Sequence, residues 1–480
     1  MIVFIIPLII IRETIYIWIL NGCLKIIYNI NCWGDALTQV SDSRREWVKL
    51  AGVGVAGLAV GYGVGFLTAP ERVREVETPV EGLPGVPDEP LKIGYIYFMT
   101  GTLGTYGTNA AAAIELAVEE INRNGGILGR TIELTSKDEA DRERVLDNIS
   151  KMVQDEGAEF VVGLDSSGDA LKVIPLVEDE LQIPFIVTHA ATPKLTECAK
   201  RRFIFRISMY EEPIDIMAAQ LVKELYEGDV TTVANIGPDY AYGYDSWAIF
   251  SGTLQDLMPD LEFLDPIYTP LFTTDYGTYI DQIKASGADL LFSSLWGGDA
   301  ATFFKQAIAK GLFDSVKVYM NAMLGATDTL EAIGNDNVPD NVDVWGSGRY
   351  WFLYPPHDVY PLNRLFVENF RGKTGAYPPY VAATSYTAIY AIKKAIESAY
   401  VMKGSWPDVD EIISALEGLT VSGPMGPVYI RPEDHQGLYD VFWGRLRRGS
   451  PTYPIPILDE LVVYPPGKVV PEPLTTMVSC

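Results

Sequence analysis

The sequence predicts the α/β class: two doubly wound lobes, each a parallel sheet flanked by helices. Three observations predict it. Between residue 91 and about residue 448, apolar runs of strand length alternate with amphipathic helical stretches, as in a parallel sheet. Polar loops follow successive apolar strands in the first half: Asp165-Ser166-Ser167-Gly168 after 160–163, and Thr188-His189-Ala190-Ala191-Thr192-Pro193 after 183–187. The second half repeats that order at 237–244 and at Leu295-Trp296-Gly297-Gly298-Asp299, so two similar lobes are expected to face each other. Ligands of open α/β sheets sit beyond the carboxyl ends of the strands, where these loops lie.

The N-terminal stretch stands apart. Residues 1–39 are dominated by an apolar extension and are read as a start-site artefact, with translation beginning near Val40. Arg44-Arg45 ahead of the Gly-rich apolar run 50–67 looks like a twin-arginine export signal, so 40–69 is read as that signal or as an uncleaved membrane anchor. Residues 70–90, rich in Pro, Glu and Val, read as a stalk.

The first lobe begins with the buried strand 91–99. The loop Gly101–Gly107 then opens a helix carrying Ile114, Ala117, Val118 and Ile121 on one face, ended by Asn124-Gly125-Gly126. Strand 130–136, a Val145/Ile149/Met152/Val153 helix and strand 160–163 follow. After strand 203–207 comes a helix with Ile214, Met217, Leu221, Val222 and Leu225 inward, then strands 230–236, 262–268, 288–294 and 316–320, separated by loops and helices. The chain is then expected to return to the first lobe, with a strand at 342–347 and helices at 362–373 and 381–402. Segment 439–448 reads as a closing strand, and 458–480 as a Pro-rich tail without a role.

Composition excludes several classes. The net charge of −26, from 63 acids against 37 bases, comes with no Lys/Arg stripe, so a nucleic-acid partner is not expected. Three histidines and four cysteines without a CxxC pair argue against a zinc or thioredoxin-type centre. Cys198 and Cys480 could pair in an oxidising compartment, but free thiols are the expectation. Residues 334–343 lack the central glycine and terminal glutamate of a calcium loop. The loop at 101–107 spaces its glycines GxxGxxG rather than the GxGxxG of dinucleotide sites, and Gly163-Leu164-Asp165-Ser166-Ser167-Gly168 is one residue too long for a nucleophile elbow. Neither a cofactor nor catalysis is expected; an enzyme on this scaffold would need an acid–base pair such as His189 with an acid.

On local chemistry, the hydroxyls and backbone N–H groups of the two first-half loops suit a small anion such as a carboxylate, while Ser167 and Thr192 are equally explained as helix caps. Asp299, beyond a fully apolar strand in a glycine-flanked loop, reads as an N-cap, a ligand group, or both.

Residues 160–196, and nearly everything from 91 to about 448, resemble the type I periplasmic binding proteins that serve ABC importers of branched-chain amino acids. The resemblance implies two lobes joined by three crossovers: 91–209 with 322–422 as lobe 1, 210–321 with 423–460 as lobe 2, and 461–480 as a tail. It implies capture of a small zwitterion outside the cytoplasm, delivery to a membrane permease, and a monomer. The loop motif, typically TGPxAxYG, makes Tyr106 a ligand neighbour, with Thr102 replacing the usual proline. Ser166, Ser167, Ala190, Ala191 and Thr192 would seat the carboxylate, with the Ala190 N–H a donor. Asp299 would hold the ammonium, Tyr242 would cover the ligand, and Trp296 would line the side-chain pocket or belong to the core. A small amide or other carboxylate, or a sensor ectodomain, remain alternatives, and a hydrolase or nucleotide-binding enzyme a remote one.

Overall fold

The computed structural model describes residues 83–101 and 104–480, and the backbone of 8–11, 14–19 and 22–26. Those short N-terminal segments form an antiparallel meander, β1 (Leu8–Ile11), β2 (Thr14–Ile19) and β3 (Gly22–Ile26). The expected signal or anchor at 40–69, most of the stalk, and Thr102 lie outside the described residues. Among the described residues no helix is long and apolar enough to cross a membrane.

The first lobe is built on β4 (Leu91–Tyr97), β5 (Ile132–Asp138), β6 (Phe160–Gly163), β7 (Phe185–Val187) and β8 (Ile204–Arg206). They form one parallel sheet in the order β5-β4-β6-β7-β8. Helices α1 (Gly104–Arg123), α2 (Val145–Ser150) and α3 (Ser167–Pro175) connect them. Strands covered on both faces must be apolar almost throughout, and β6 is buried at every position.

The second lobe starts with α4 (Glu211–Tyr226) and β9 (Thr232–Pro238), then α5 (Ala241–Leu257). The strand expected over 262–268 is two pieces, β10 (Glu262–Phe263) and β11 (Ile267–Thr269), both paired with β9. Pro266, which has no N–H for the ladder, lies in the break. Next come α6 (Gly277–Ser286), β12 (Leu290–Ser293), α7 (Gly297–Ala309), β13 (Val318–Asn321), α8 (Thr327–Ile333) and β14 (Asp343–Gly346). Leu225, expected inward on α4, is 45% exposed.

The chain then returns to the first lobe with α9 (Pro361–Thr374), α10 (Tyr380–Lys403), which packs along α1, and α11 (Val409–Leu416). A small antiparallel sheet follows: β15 (Thr420–Gly423), β16 (Gly426–Ile430) and β17 (Gly437–Leu438). Finally β18 (Val441–Arg447) and β19 (Ile457–Tyr464) add antiparallel strands beside β14, and α12 (Pro466–Val469) packs on α4.

Four expectations are corrected here. β14, expected in the returning lobe 1, pairs parallel to β13, so the second crossover falls after Gly346 rather than at residue 322. The boundary at 422/423 cuts through the β15–β16 hairpin, and the third crossover instead lies between β17 and β18. A buried strand pattern states that a strand is covered, not which sheet it joins. The tail, expected to be without a role from residue 458, supplies most of β19 and ends in a Cys198–Cys480 disulfide, so these thiols are not free.

The two lobes repeat one packing detail. In the first turns of α1 and α5, Gly107 and Gly243 approach the strand just left: a Cβ would stand 2.0 Å from Phe98 O and 2.0 Å from Pro238 O, respectively. Gly107→Ala or Gly243→Ala is expected to lower unfolding free energy by about 2 kcal/mol, since backbone must move to admit the methyl group. Gly372→Ala in α9, with nothing within 4 Å, is the control, and there the change should stabilise by up to about 1 kcal/mol in urea denaturation.

Candidate functional site

The carboxyl ends of both sheets meet at one cleft. From the first lobe come Phe98, Thr100 and Gly101 after β4, Ala140 and Arg142 after β5, Asp165–Gly168 after β6, and His189 and Ala191 after β7. From the second come Tyr240, Ala241 and Tyr242 after β9, Leu271 and Phe272 after β11, Trp296 after β12 and Met323 after β13. The second crossover adds Arg349, and the start of α10 adds Tyr380.

The cleft has two compartments that share Asp165, Tyr240 and Trp296. The outer one is a cavity of about 430 Å³ with a largely apolar wall that includes Phe98, Leu271 and Phe272. The inner one, about 20 Å³, is lined by Ser167, His189, Tyr242, Arg349 and Tyr380 among others, room for about one water. The lobes are therefore close together here. Lys194 of the first lobe also pairs with Asp245 of α5 at 3.2 Å.

A hydrogen-bonded chain crosses the floor. Asp165 Oδ2 accepts the Phe98 N–H at 2.8 Å, and its Oδ1 meets His189 Nδ1 at 2.5 Å. His189 Nε2 bonds the Tyr380 hydroxyl. The imidazole is thereby fixed from both sides. Above it, the Tyr106 ring stacks on His189 at 5.3 Å between centroids and meets Trp296 at 5.5 Å. Its edge rests on the second lobe, where a Cβ on Gly297 would come 3.1 Å from Tyr106 Cε2.

Arg349 brings the cation. It is buried at φ 61°, donates from Nη1 to His189 O at 3.1 Å, and lies 5.4 Å from the Tyr380 ring centre. Among the described residues its Nε has no hydrogen-bond partner. Glu211, at the first turn of α4, is buried with both oxygens unpartnered among the described residues, and burial pushes its carboxyl up to about 7 against the opposing pull of Arg349.

Of the residues singled out from the sequence, Ser166, Ser167, Ala191, Tyr242 and Trp296 line the cleft, and Tyr106 packs on its wall. The rest sit differently. The Ala190 N–H, expected to donate to a carboxylate, donates to Leu164 O at 2.9 Å. The Ser167 hydroxyl accepts the N–H groups of Ala191 and Thr192, both at 3.3 Å, which draws the two loops together. Thr192 is fully buried and caps a short turn through the Lys194 N–H, and Ser166 caps α3 through Asp169 N–H. Asp299 does not line either compartment; its Oδ2 accepts the Phe272 N–H at 2.9 Å and so holds the rim residue Phe272 at φ 65°. Burial raises the Asp299 carboxyl above its ordinary range.

The sequence reading missed Arg349, Tyr380, Tyr240 and Met323, and weighed His189 only as a catalytic base. His189 does have an acid, Asp165, but its other nitrogen meets Tyr380, and Ser167 is bonded to backbone N–H groups instead. Only the position of Tyr240, inside a strand-to-helix loop already under suspicion, could have been read from sequence. Arg349 follows a strand whose sheet was misassigned, and Tyr380 starts a helix more than 180 residues from the loops it meets.

This geometry defines a class: a two-lobed α/β protein with three crossovers and a cleft at the facing sheet ends. The chain belongs to the periplasmic binding protein family, whose model matches residues 90–451. It is 25% identical over 358 residues to a Leu/Ile/Val-binding protein homolog 6 from Brucella melitensis, covering 73% of this chain and 86% of that one. Among solved structures, it is similar to a solute binding protein of an ABC transporter from Rhodopseudomonas palustris BisB5, in complex with 3,4-dihydroxybenzoic acid. That match has TM-score 0.68 and 23% identity, covering 79% of this chain and 99% of the other. A leucine binding protein from Thermotoga maritima matches with TM-score 0.65 and 19% identity, covering 79% and 100%.

Proposed function

We propose that this chain is the extracytoplasmic receptor of an ABC importer, closing its lobes on a small carboxylate with an aromatic or apolar body and presenting it to a permease. The ligand is bound without chemical change, by one copy of the chain. The observation that carries the carboxylate is Arg349: a buried guanidinium facing the inner compartment, with its Nε unpartnered among the described residues. With the lobes parted enough to admit it, a carboxylate there would gain charge-assisted bonds in a water-poor setting. The aromatic body rests on the outer wall, where Phe98, Tyr240, Phe272 and Trp296 surround an apolar space beside the polar floor. The two relatives named for leucine-type ligands and the one holding an aromatic acid have a carboxylate ligand in common.

The zwitterion reading needs an acid for the ammonium, and Asp299 is engaged with Phe272 instead. Export agrees with the Cys198–Cys480 bond, since disulfides persist in oxidising compartments. The twin-arginine-like segment is the proposed export signal.

Thermal-shift screening with benzoate, 4-hydroxybenzoate and leucine, each beside its amide, tests this reading, with calorimetry on hits. A ligand at a hundred times its Kd adds about 2.7 kcal/mol of stability. Aromatic acids should shift the melt and their amides should not. Equal binding of acid and amide would remove the role given to Arg349. Leucine binding with no response to benzoates would overturn the aromatic reading and restore the amino acid.

A further inference from the structure

The C-terminal tail makes a further link between the lobes, beside the first and third crossovers. After β19 it runs along the second lobe, where α12 packs on α4 and Lys468 approaches Glu224 at 3.5 Å, and touches the first lobe once on the way, where Arg431 Nη1 donates to Pro471 O at 2.8 Å. The Met477 N–H donates to Glu212 Oε1 of α4 at 2.6 Å, and the Met477 side chain lies over Gly252 and Thr253 of α5. Three residues later Cys480 is bonded to Cys198, in the first-lobe segment between Leu195 and β8. That segment is itself firmly mounted. Thr196 Oγ1 accepts Arg206 Nη2 at 2.6 Å, and fully buried Glu197 faces Arg431 at 3.4 Å. Three residues of extended chain reach about 10 Å at most.

We propose that this tail is a fourth, covalent strap between the lobes, which limits how far the cleft opens and which reduction of the disulfide releases. The strap regulates the capture site and so rests, for its purpose though not for its mechanics, on the function proposed above. Each crossover is continuous chain; the strap alone depends on a bond that thiols can break. Cys480 is exposed and Cys198 half-buried, so a reductant has access to it. With the bond intact, the anchor at Glu212 and the bond at Cys198 hold α4 close to the first lobe. With it broken, the tail keeps the non-covalent Arg431 bond to Pro471 O but no covalent tie to the first lobe, and the lobes can part further.

The test is small-angle X-ray scattering on the full chain without ligand. Three forms are compared: the oxidised protein, the Cys198→Ser/Cys480→Ser double variant, and a variant with Gly/Ser residues inserted between Val478 and Ser479 that keeps both cysteines. Circular dichroism verifies that each is folded. The double variant and the insertion should both shift to a larger radius of gyration, and the insertion covers the case in which loss of the bond unfolds the chain. An unchanged radius in the folded insertion variant would overturn the strap. These comparisons need no ligand, so failure to find a carboxylate that binds would count against the proposed function and leave the strap standing. A bound ligand with equal radii throughout would do the reverse.

Discussion

Arg349→Gly is expected to weaken binding of the carboxylate ligand by more than a hundredfold while the fold survives. The first half follows from burial. Truncating one side of a desolvated, hydrogen-bonded charge pair costs about 2–5 kcal/mol, and about 2.7 kcal/mol is already a factor of a hundred. The second half follows from the backbone. Arg349 is held at φ 61°, where a residue with a Cβ is strained by about 1 kcal/mol or more and glycine is not. Glycine therefore removes the charge and relieves strain together, which offsets part of the lost packing on Tyr380. Arg349→Lys keeps the charge but loses the planar fork, so its affinity should fall between the two. Calorimetry with the acid found by screening gives the affinities, and thermal melts verify the fold. Unchanged affinity in Arg349→Gly would move the carboxylate to the Ser167 loop.

That the deciding cation escaped the sequence reading has a physical reason. Local patterns report what is covered and where a loop follows a strand. They placed β4, β6 and β12 from their apolar runs, and they brought Ser166, Ser167, Ala191, Tyr242 and Trp296 to the cleft edge because each lies in a loop that follows a strand. They cannot report which of two compatible partners a polar group takes. An aspartate in the first turn of a helix looks the same whether it receives a ligand or, as Asp299 does, the N–H of Phe272. Nor do they report pairing across long separations. Cys198 and Cys480 stand 282 residues apart with no spacing signature, and β19 lies in a stretch whose prolines and acids suggested a loose tail. Arg349 combines both difficulties. Its backbone belongs to a crossover, and its surroundings come from α10, the loop after β7 and α4.

Arg206→Met should be the most destabilising single change near the hinge, by about 3–5 kcal/mol, and should also weaken ligand binding. Arg206 is fully buried at the end of β8 and divides its guanidinium among three acceptors. Nε donates to Gln436 Oε1 at 2.5 Å, Nη1 to Thr192 O at 2.6 Å, and Nη2 to Thr196 Oγ1 at 2.6 Å. Methionine fills much of the volume but leaves those acceptors unpaired in a dry interior, and removing one partner from a buried charged network carries a cost of this size. The consequence for binding comes through the same atoms. Gln436 Nε2 donates onward to Ser208 O and Gly437 O, so one amide joins the first crossover to β17, just ahead of the third. Thr192 O belongs to the loop whose N–H groups meet Ser167 in the cleft. Arg206 thus fixes the ligand-facing loop relative to two of the strands about which the lobes turn. Urea denaturation gives the stability change, and calorimetry on the folded fraction gives the affinity. A loss of stability without loss of affinity would mean that the Ser167 contacts alone hold the loop. A change below about 1 kcal/mol in stability would mean that water replaces the guanidinium at all three acceptors.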